Sequence, residues 1–328
     1  MNFPHLHLLL NHWPIIGTFI AFGLFVVSLL KGNGDFRRSS LIIFAVIAFL
    51  TIPSFMTGVG AQEVMKGQVG ISAALMQRHE GAALLTLGLM LITGGLALAG
   101  LWETHRDSRQ SNSNIAAILV FSILTLIMVI RTGNTGGDIR HSEIREDTNV
   151  TTVSEGTFGS IVSVFEPNAV KFGSWMAYSK WCTAFLMDLH FIGLALLIAA
   201  VGILDLRIMG FAKRIPLADL HGIVPWALVG LGINIVTGVA TYMGSPEIYN
   251  FDIPFWLKMS SLMLLAVNVA VFYLTGTFDH VERVQAGDDA PLSAKLIAAS
   301  SLLLWVAVIV FGRYIQAYEG SIPFHGAN

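Results

Sequence analysis

Long apolar stretches separated by short polar connectors set the pattern of this chain. The apolar runs occupy residues 13–31, 39–60, 80–101, 114–131, 181–203, 222–243, 254–276 and 293–315. Most approach the roughly 20 residues that a helix rising about 1.5 Å per residue needs to cross about 30 Å of hydrocarbon. The pattern predicts an all-α polytopic membrane protein with about eight transmembrane helices in two four-helix bundles. Residues 132–180 are polar and rich in Gly, Ser and Thr, and they divide the chain. A first four-helix membrane domain covers 1–131 and a second covers 181–328. The intervening segment is expected to face outward, either as a lid or docking surface or as a plain linker between fused bundles.

Composition agrees with this reading. Hydrophobic residues make up 54% of the chain and charged residues 12%, with a mean hydropathy of +0.69, outside the range of a soluble domain. The net charge of −2 is uninformative, and with no Lys/Arg-rich run or nucleic-acid motif a nucleic-acid partner is not expected. No basic stretch or small-residue cleavage site precedes the first apolar run, which is therefore read as a retained helix. The single cysteine, Cys182, allows neither an internal disulfide nor a multi-cysteine metal cluster, and is read as a packing residue.

Positive charge clusters after the first run (Lys31, Arg37, Arg38), the third (Arg106, Arg109), the fifth (Arg207, Lys213, Arg214) and the seventh (Arg283, Lys295), whereas 244–254 carries none. By the positive-inside rule both termini and the segments 61–79, 132–180 and 244–254 face outward, to the periplasm if the membrane is a bacterial inner membrane. Lys66 and Arg78 run against this assignment. So do Arg140, Arg145, Lys171 and Lys180, but they belong to a long loop, where the rule is weak.

In this topology His7, His12, His79 and His141 gather at the outward boundary. His190 lies about nine residues, on the order of 13 Å, into the fifth run. An ionisable side chain at that depth is costly and marks a ligand, a proton path or an ion site. Neutral imidazole suits haem iron, because one ring nitrogen binds the metal while the other N–H is held by an acceptor. Two histidines on facing helices of a bundle can clamp a haem between them, and Gly81, Gly193, Gly232 and Gly238 offer room for the ring. Interfacial histidines also serve simply as hydrogen-bonding residues. His12 and His79 are the first candidate axial pair and His190 with His141 the reserve pair. His105, His221 and His280 are expected in solvated inward loops. Asp188 is two residues from His190, off its helix face, and is a candidate quinone-hydroxyl contact. Asp205 and Arg207 mark the inward interface. Trp175, Trp181, Tyr249 and Trp256 fit an outward aromatic belt.

Two resemblances follow from these residues. The first half resembles a bacterial four-helix membrane domain of unknown function with a first helix reading His-Pro-x-x-Val-His-Phe-Pro-Ile, a histidine opening its third helix, and a Gly-His-x-Gly-Gly exit from its fourth. The counterparts are the run from His7 through His12, Trp13, Pro14 and Ile15, then His79, then Gly133-Asn134-Thr135-Gly136-Gly137. Leu8 replaces the proline, and Asn134 replaces the exit histidine. If that histidine is a ligand in relatives, His141 would have to substitute here. The second half is similar to another four-helix family of unknown function through His190-Phe191-Ile192-Gly193, Asp205-Leu206-Arg207 with Gly210, Pro225-Trp226-Ala227 and Thr237-Gly238.

Both families are similar in layout to small membrane b-type cytochromes. The resemblance implies haem b, quinone as a substrate, and redox partners such as periplasmic c-type cytochromes. The expected function is electron transfer between quinone and a periplasmic partner. The alternatives are a haem-free membrane anchor, which would dock soluble redox subunits through 132–180 and the tail 316–328, and a transporter. For a transporter the only polar candidates are the scattered Asn234, Thr237 and Asn268.

Overall fold

A computed structural model describes residues 2–66, 68, 72–107, 109–140, 161 and 163–315. The described residues contain helices and no strand. These are α1 (Phe3–Leu10), α2 (His12–Lys31), α3 (Gly34–Met65), α4 (Ala73–Asp107), α5 (Asn112–Arg140), α6 (Ala169–Tyr178), α7 (Lys180–Ile208), α8 (Leu217–His221), α9 (Val224–Gly244), α10 (Pro246–Asn250), α11 (Ile253–Leu274), α12 (Thr277–Glu282) and α13 (Leu292–Tyr314). Among the described residues eight spans are long and apolar enough to cross a membrane, with α1 and α2 together forming the first. The chain is an all-α, multi-pass membrane protein.

Local signals set the helix ends. Asn2 and Asn33 accept the backbone N–H groups of His5 and Phe36 at 3.2 and 3.0 Å, which satisfies donors that an uncapped helix would leave open. Gly32 ends α2 with φ +63°, a conformation that glycine adopts without penalty. The first span begins ten residues before the apolar run at 13, because Pro4 fits the first turn of a helix and α1 packs against α3. The fourth span also outruns its apolar stretch. It stays helical from Thr132 to Arg140 through four residues that favour turns, Gly133, Asn134, Gly136 and Gly137. Contacts to α4 offset that weak propensity: Thr132 and Thr86 share a hydrogen bond of 2.7 Å, and Thr135 bonds His79.

The chain divides into two compact units, residues 1–172 and 173–328. In the first, α2, α3, α4 and α5 close into a ring. Phe25 and Phe44 meet edge to face at 6.4 Å in its core, beside Ala21, Leu41 and Ile118. The helices approach closely where residues are small: a Cβ added to Gly94 would stand 2.3 Å from that of Ala48. In the second unit α7 packs on α9 and α13, and α13 on α11, whereas α9 and α11 do not pack along their lengths. Gly193 and Gly230 bring α7 and α9 together, since a Cβ on Gly230 would lie 2.6 Å from the Gly193 carbonyl oxygen.

At the end of the second unit where α7 stops, Arg207 is a buried clamp, only 1% exposed. Its guanidinium donates to the carbonyls of Ile215 at 2.6 Å and of Lys213 and Gln285 at 3.2 Å, and so ties two connecting loops to α7. Asp205 is buried against Ser301 of α13. Outside the spans, Asp289 accepts from Lys213 and Lys295 at 2.7 and 2.8 Å, and these hydrogen bonds hold its carboxyl down at about 2.

Gly230→Val should therefore lower stability by about 1–3 kcal/mol through overpacking. Gly88→Ala, with no neighbour within 4 Å, should be neutral or slightly favourable; thermal unfolding in detergent compares them. The contribution of Asp289 runs with pH as its depressed pKa requires. It is complete above the ordinary carboxylate value near 4 and is lost as pH falls toward about 2. The difference in melting temperature between the native protein and Asp289→Asn should thus shrink in that window.

Candidate functional site

The described histidines within the spans divide by what holds their rings. His79, near the start of α4, places Nδ1 3.1 Å from the Thr135 hydroxyl of α5. That hydroxyl is itself positioned to donate to the Thr132 carbonyl at 3.1 Å. Its proton being committed there, it accepts from His79, so Nδ1 carries the hydrogen and Nε2 keeps its lone pair. The Thr132 carbonyl also attracts the ring. Gly136, one residue beyond Thr135, lets the helices close over the imidazole: a Cβ there would come 3.0 Å from His79 Cε1.

His7 of α1 repeats the arrangement on α3. Its Nδ1 stands 3.0 Å from the Ser54 carbonyl, an oxygen that can only accept, which again fixes the hydrogen on Nδ1. Gly58 faces the ring, and a Cβ there would lie 2.9 Å from His7 Cε1. His7 is within electrostatic reach of His79. His12, by contrast, is exposed and bonds the Leu8 carbonyl one turn back at 3.0 Å. The structure thus brings His7 toward His79 and leaves His12 on the outside of the bundle. His141 lies outside the described residues. Asn134, at the position of the exit histidine, is exposed, and its neighbour Thr135 makes the contact to His79.

Residues 163–168 lie against this end of the first unit. Arg131 of α5 forms a two-pronged pair with Glu166, each side chain 7% exposed, the second prong measuring 3.0 Å. The Pro167 carbonyl oxygen sits 3.0 Å from where a Cβ on Gly81 would be, and Gln77 donates to Asn168 at 3.2 Å. Glu80, next to His79, is buried and accepts from Gln62 at 3.1 Å.

The second unit holds the same device. His190 of α7 places Nδ1 2.8 Å from the Thr237 hydroxyl of α9, and that hydroxyl donates to the Ile233 carbonyl at 2.7 Å. Nδ1 therefore carries the hydrogen and Nε2 the lone pair. Gly238 follows Thr237, with a Cβ position at van der Waals distance, 3.7 Å, from His190 Cε1. Asp188 is exposed. His190 is within electrostatic reach of Lys258 on α11. Lys258 lies in a notch on α13, its Nζ 3.7 Å from the place of a Gly312 Cβ.

Lys258 is a residue the sequence reading passed over. A lone charge inside the seventh apolar run carries the same signal that singled out His190. The two Thr-Gly pairs, each late in the helix after a histidine-bearing helix, are a second signal that was available. Of the other residues considered, His105 and His280 are exposed, and His280 bonds the Gly276 carbonyl at 2.8 Å. Trp175 and Trp181 are 58% and 85% exposed, as a belt requires. Trp256 turns inward to donate to the Asn250 carbonyl at 2.9 Å. Burial raises the Tyr249 phenol above its ordinary value. Cys182 is half-buried with Sγ 3.4 Å from Met176 Sδ. Among the described residues no group of three or more His, Cys, Asp and Glu side chains is placed to hold a metal ion.

Residues 165–318 match a family model described as a family of unknown function, DUF6644. The matched segment takes in α6 to α13. No curated protein and no solved structure matches the chain.

Removing one partner of a buried ion pair strands the other charge, at a cost of about 3–5 kcal/mol. Glu166→Gln should therefore destabilise the first unit by an amount near the lower end of that range, since the amide keeps some hydrogen bonding. It should also open residues 163–168 to protease. Unchanged melting and cleavage would mean that the pair does not hold this segment.

Proposed function

We propose that the protein is a b-type cytochrome or cytochrome-like subunit of a bacterial inner membrane, a fusion of two four-helix domains. It carries electrons between membrane quinone and a periplasmic redox partner, with both termini on the periplasmic side. The observation that supports this most is the common setting of His7, His79 and His190. Each imidazole has its Nδ1 hydrogen taken by an oxygen of a neighbouring helix, forms no hydrogen bond through Nε2 to another described residue, and lies against a glycine. An iron-binding histidine needs this arrangement: the held N–H fixes the tautomer and ring orientation, and the other nitrogen is left to bind.

Haem b fits the residues of the first unit. His79 would be one of the residues that hold its iron. Of the two first-span candidates, His7 is favoured over His12, because it is part-buried with its ring held against α3, which packs on α4, whereas His12 is exposed. Two imidazoles would suffice to hold a haem iron, so the lack of a larger cluster among the described residues does not count against it. When bound, the haem supplies a one-electron carrier. Thr135 and Ser54 orient the imidazoles, and the Arg131–Glu166 pair with Pro167 covers the same end of the bundle and limits the entry of water. His190, in the second unit, serves quinone.

The reading of a haem-free anchor draws on a different observation. Val164 and Phe165 are 79% and 72% exposed beside the pinned Glu166, a surface suited to a soluble partner. A colourless chain that co-purifies with redox subunits would favour it.

Purified protein should show a Soret band and a pyridine haemochrome of the b type. His79→Ala and His7→Ala should each abolish or strongly shift the spectrum, whereas His12→Ala and His105→Ala leave it unchanged. A colourless protein, or equal responses from all four variants, would remove the haem assignment.

A further inference from the structure

We infer that Asp205 is a proton-binding site inside the membrane region of the second unit, its carboxyl held in the neutral, protonated form by the packing of α7 against α13. The inference stands apart from the haem and quinone reading, because it uses none of the histidines and neither cofactor.

The argument begins with an uncompensated carboxyl. Asp205 lies in the fifth span and is 7% exposed. Among the described residues no hydrogen bond reaches its Oδ2, and no ion pair joins the side chain to a cation. Arg207, two residues on, spends its guanidinium on the carbonyls of Ile215, Lys213, Gln285 and Asp288. A lone carboxylate at such a depth is costly, whereas a lone O–H costs far less, so keeping the proton is the way out.

Charged groups on the elements around Asp205 are few. On α7 itself the nearest titratable residue toward the far end is His190, about 22 Å back along the axis. α9 carries no charged residue. α13 carries Lys295, which donates to Asp289 at 2.8 Å, and Arg313, about 18 Å along the helix from Ser301. α8 carries Asp219, which is exposed, and His221.

The seam between α7 and α13 decides between a proton and a metal ion. One turn toward the end of α7, Ile208 belongs to the same apolar cluster as Ala298 of α13. One turn the other way, Val201 and Trp305 pack against another apolar cluster. Ser301 stands between Ala298 and Trp305 at helical spacing, level with Asp205, and its hydroxyl bonds the carboxyl. Carboxyl and hydroxyl thus form a single polar rung between two apolar layers. A hard metal cation takes about six oxygen ligands or more, which one carboxyl and one hydroxyl cannot supply. A proton needs one oxygen. Its binding adds a hydrogen to Oδ2 and removes the charge, with no electron moved and no group lost, while the other oxygen accepts from Ser301. The proton comes from water beyond the end of α7, three residues past Asp205.

The test is infrared difference spectroscopy of the full-length protein in detergent near pH 7, where an ordinary aspartate is ionised. The native spectrum minus that of Asp205→Asn should contain the carbonyl band of a carboxylic acid, moving to lower frequency in deuterated water, and no carboxylate band. Asparagine resembles the neutral acid in shape, so Asp205→Asn should melt within about 2 °C of the native protein. Ser301→Ala should move the acid band to higher frequency, because the carbonyl loses its donor. A carboxylate band in the difference overturns the inference. So does an acid band that disappears when sodium chloride replaces choline chloride, which would make this a metal-cation site. Where Asp205→Asn fails to accumulate, Ser301→Ala is read against the native protein, and a spectrum with no shifted acid band overturns the inference. The band is expected in coloured and colourless protein alike, so its presence and the haem assignment stand or fall separately.

Discussion

Inside a bilayer there is no water to complete a hydrogen bond, so a polar side chain at membrane depth must find its partner on its own helix or on the next one. Most of the arrangement of this protein follows from that constraint. Threonines of the first unit return their protons to carbonyls one turn back, as Thr18 does to Pro14 at 2.6 Å and Thr93 to Leu89 at 2.9 Å. The same hydroxyls then accept or share bonds across helices, as between Thr93 and Thr125. Each such bond is worth about 0.6 kcal/mol on average, so no single one holds a bundle. Their effect is orientational: they fix which face of each helix looks inward. Close approach at glycine and alanine then supplies the dispersion contacts that lipid cannot outcompete.

The same constraint determines the chemistry of the imidazoles. A threonine that has already spent its proton on its own helix can only accept from a second group, and the group it meets is a histidine N–H. The tautomer is thereby set by helix geometry. This is why the candidate site depends on Thr135 and Thr237 as much as on the histidines. Replacing either with valine would keep the shape and remove the acceptor, leaving the ring free to turn or to exchange its hydrogen between nitrogens.

The spans were readable because they rest on a quantity the sequence displays directly, the length of an apolar run. His190 stood out for a related reason, since a costly residue in an apolar setting is visible without any knowledge of its partners, whereas His79 was chosen for its place at the head of an apolar run. Pairing was not readable. His7 and His12 are both first-span histidines near an apolar run, and what separates them is whether the helix turns the ring toward the Ser54 carbonyl or back onto Leu8, a matter of helix phase and packing angle. The extension of α5 to Arg140 was hidden in the same way. Glycine and asparagine weaken a helix locally, and only contacts with α4 show why they do not end it. Glu166 sits 35 residues from Arg131, too far along the chain for spacing to propose the pair. Lys258, in contrast, was visible to the rule that found His190.

The two units use one device with different separations along the chain, 56 residues between His79 and Thr135 and 47 between His190 and Thr237. Unequal connections between the paired helices shift one constellation against the other, so spacing along the chain hides a likeness that hydrogen bonding makes plain. What differs is the group toward which each free nitrogen can act. In the first unit the bundle is closed and the neighbouring titratable group is a second imidazole, a pair of like donors suited to gripping one metal from two sides. In the second unit α9 and α11 do not pack along their lengths, and Lys258 of α11 is set against Gly312 of α13. Under the proposed reading, the division between haem and quinone follows from how each bundle packs around an otherwise identical histidine.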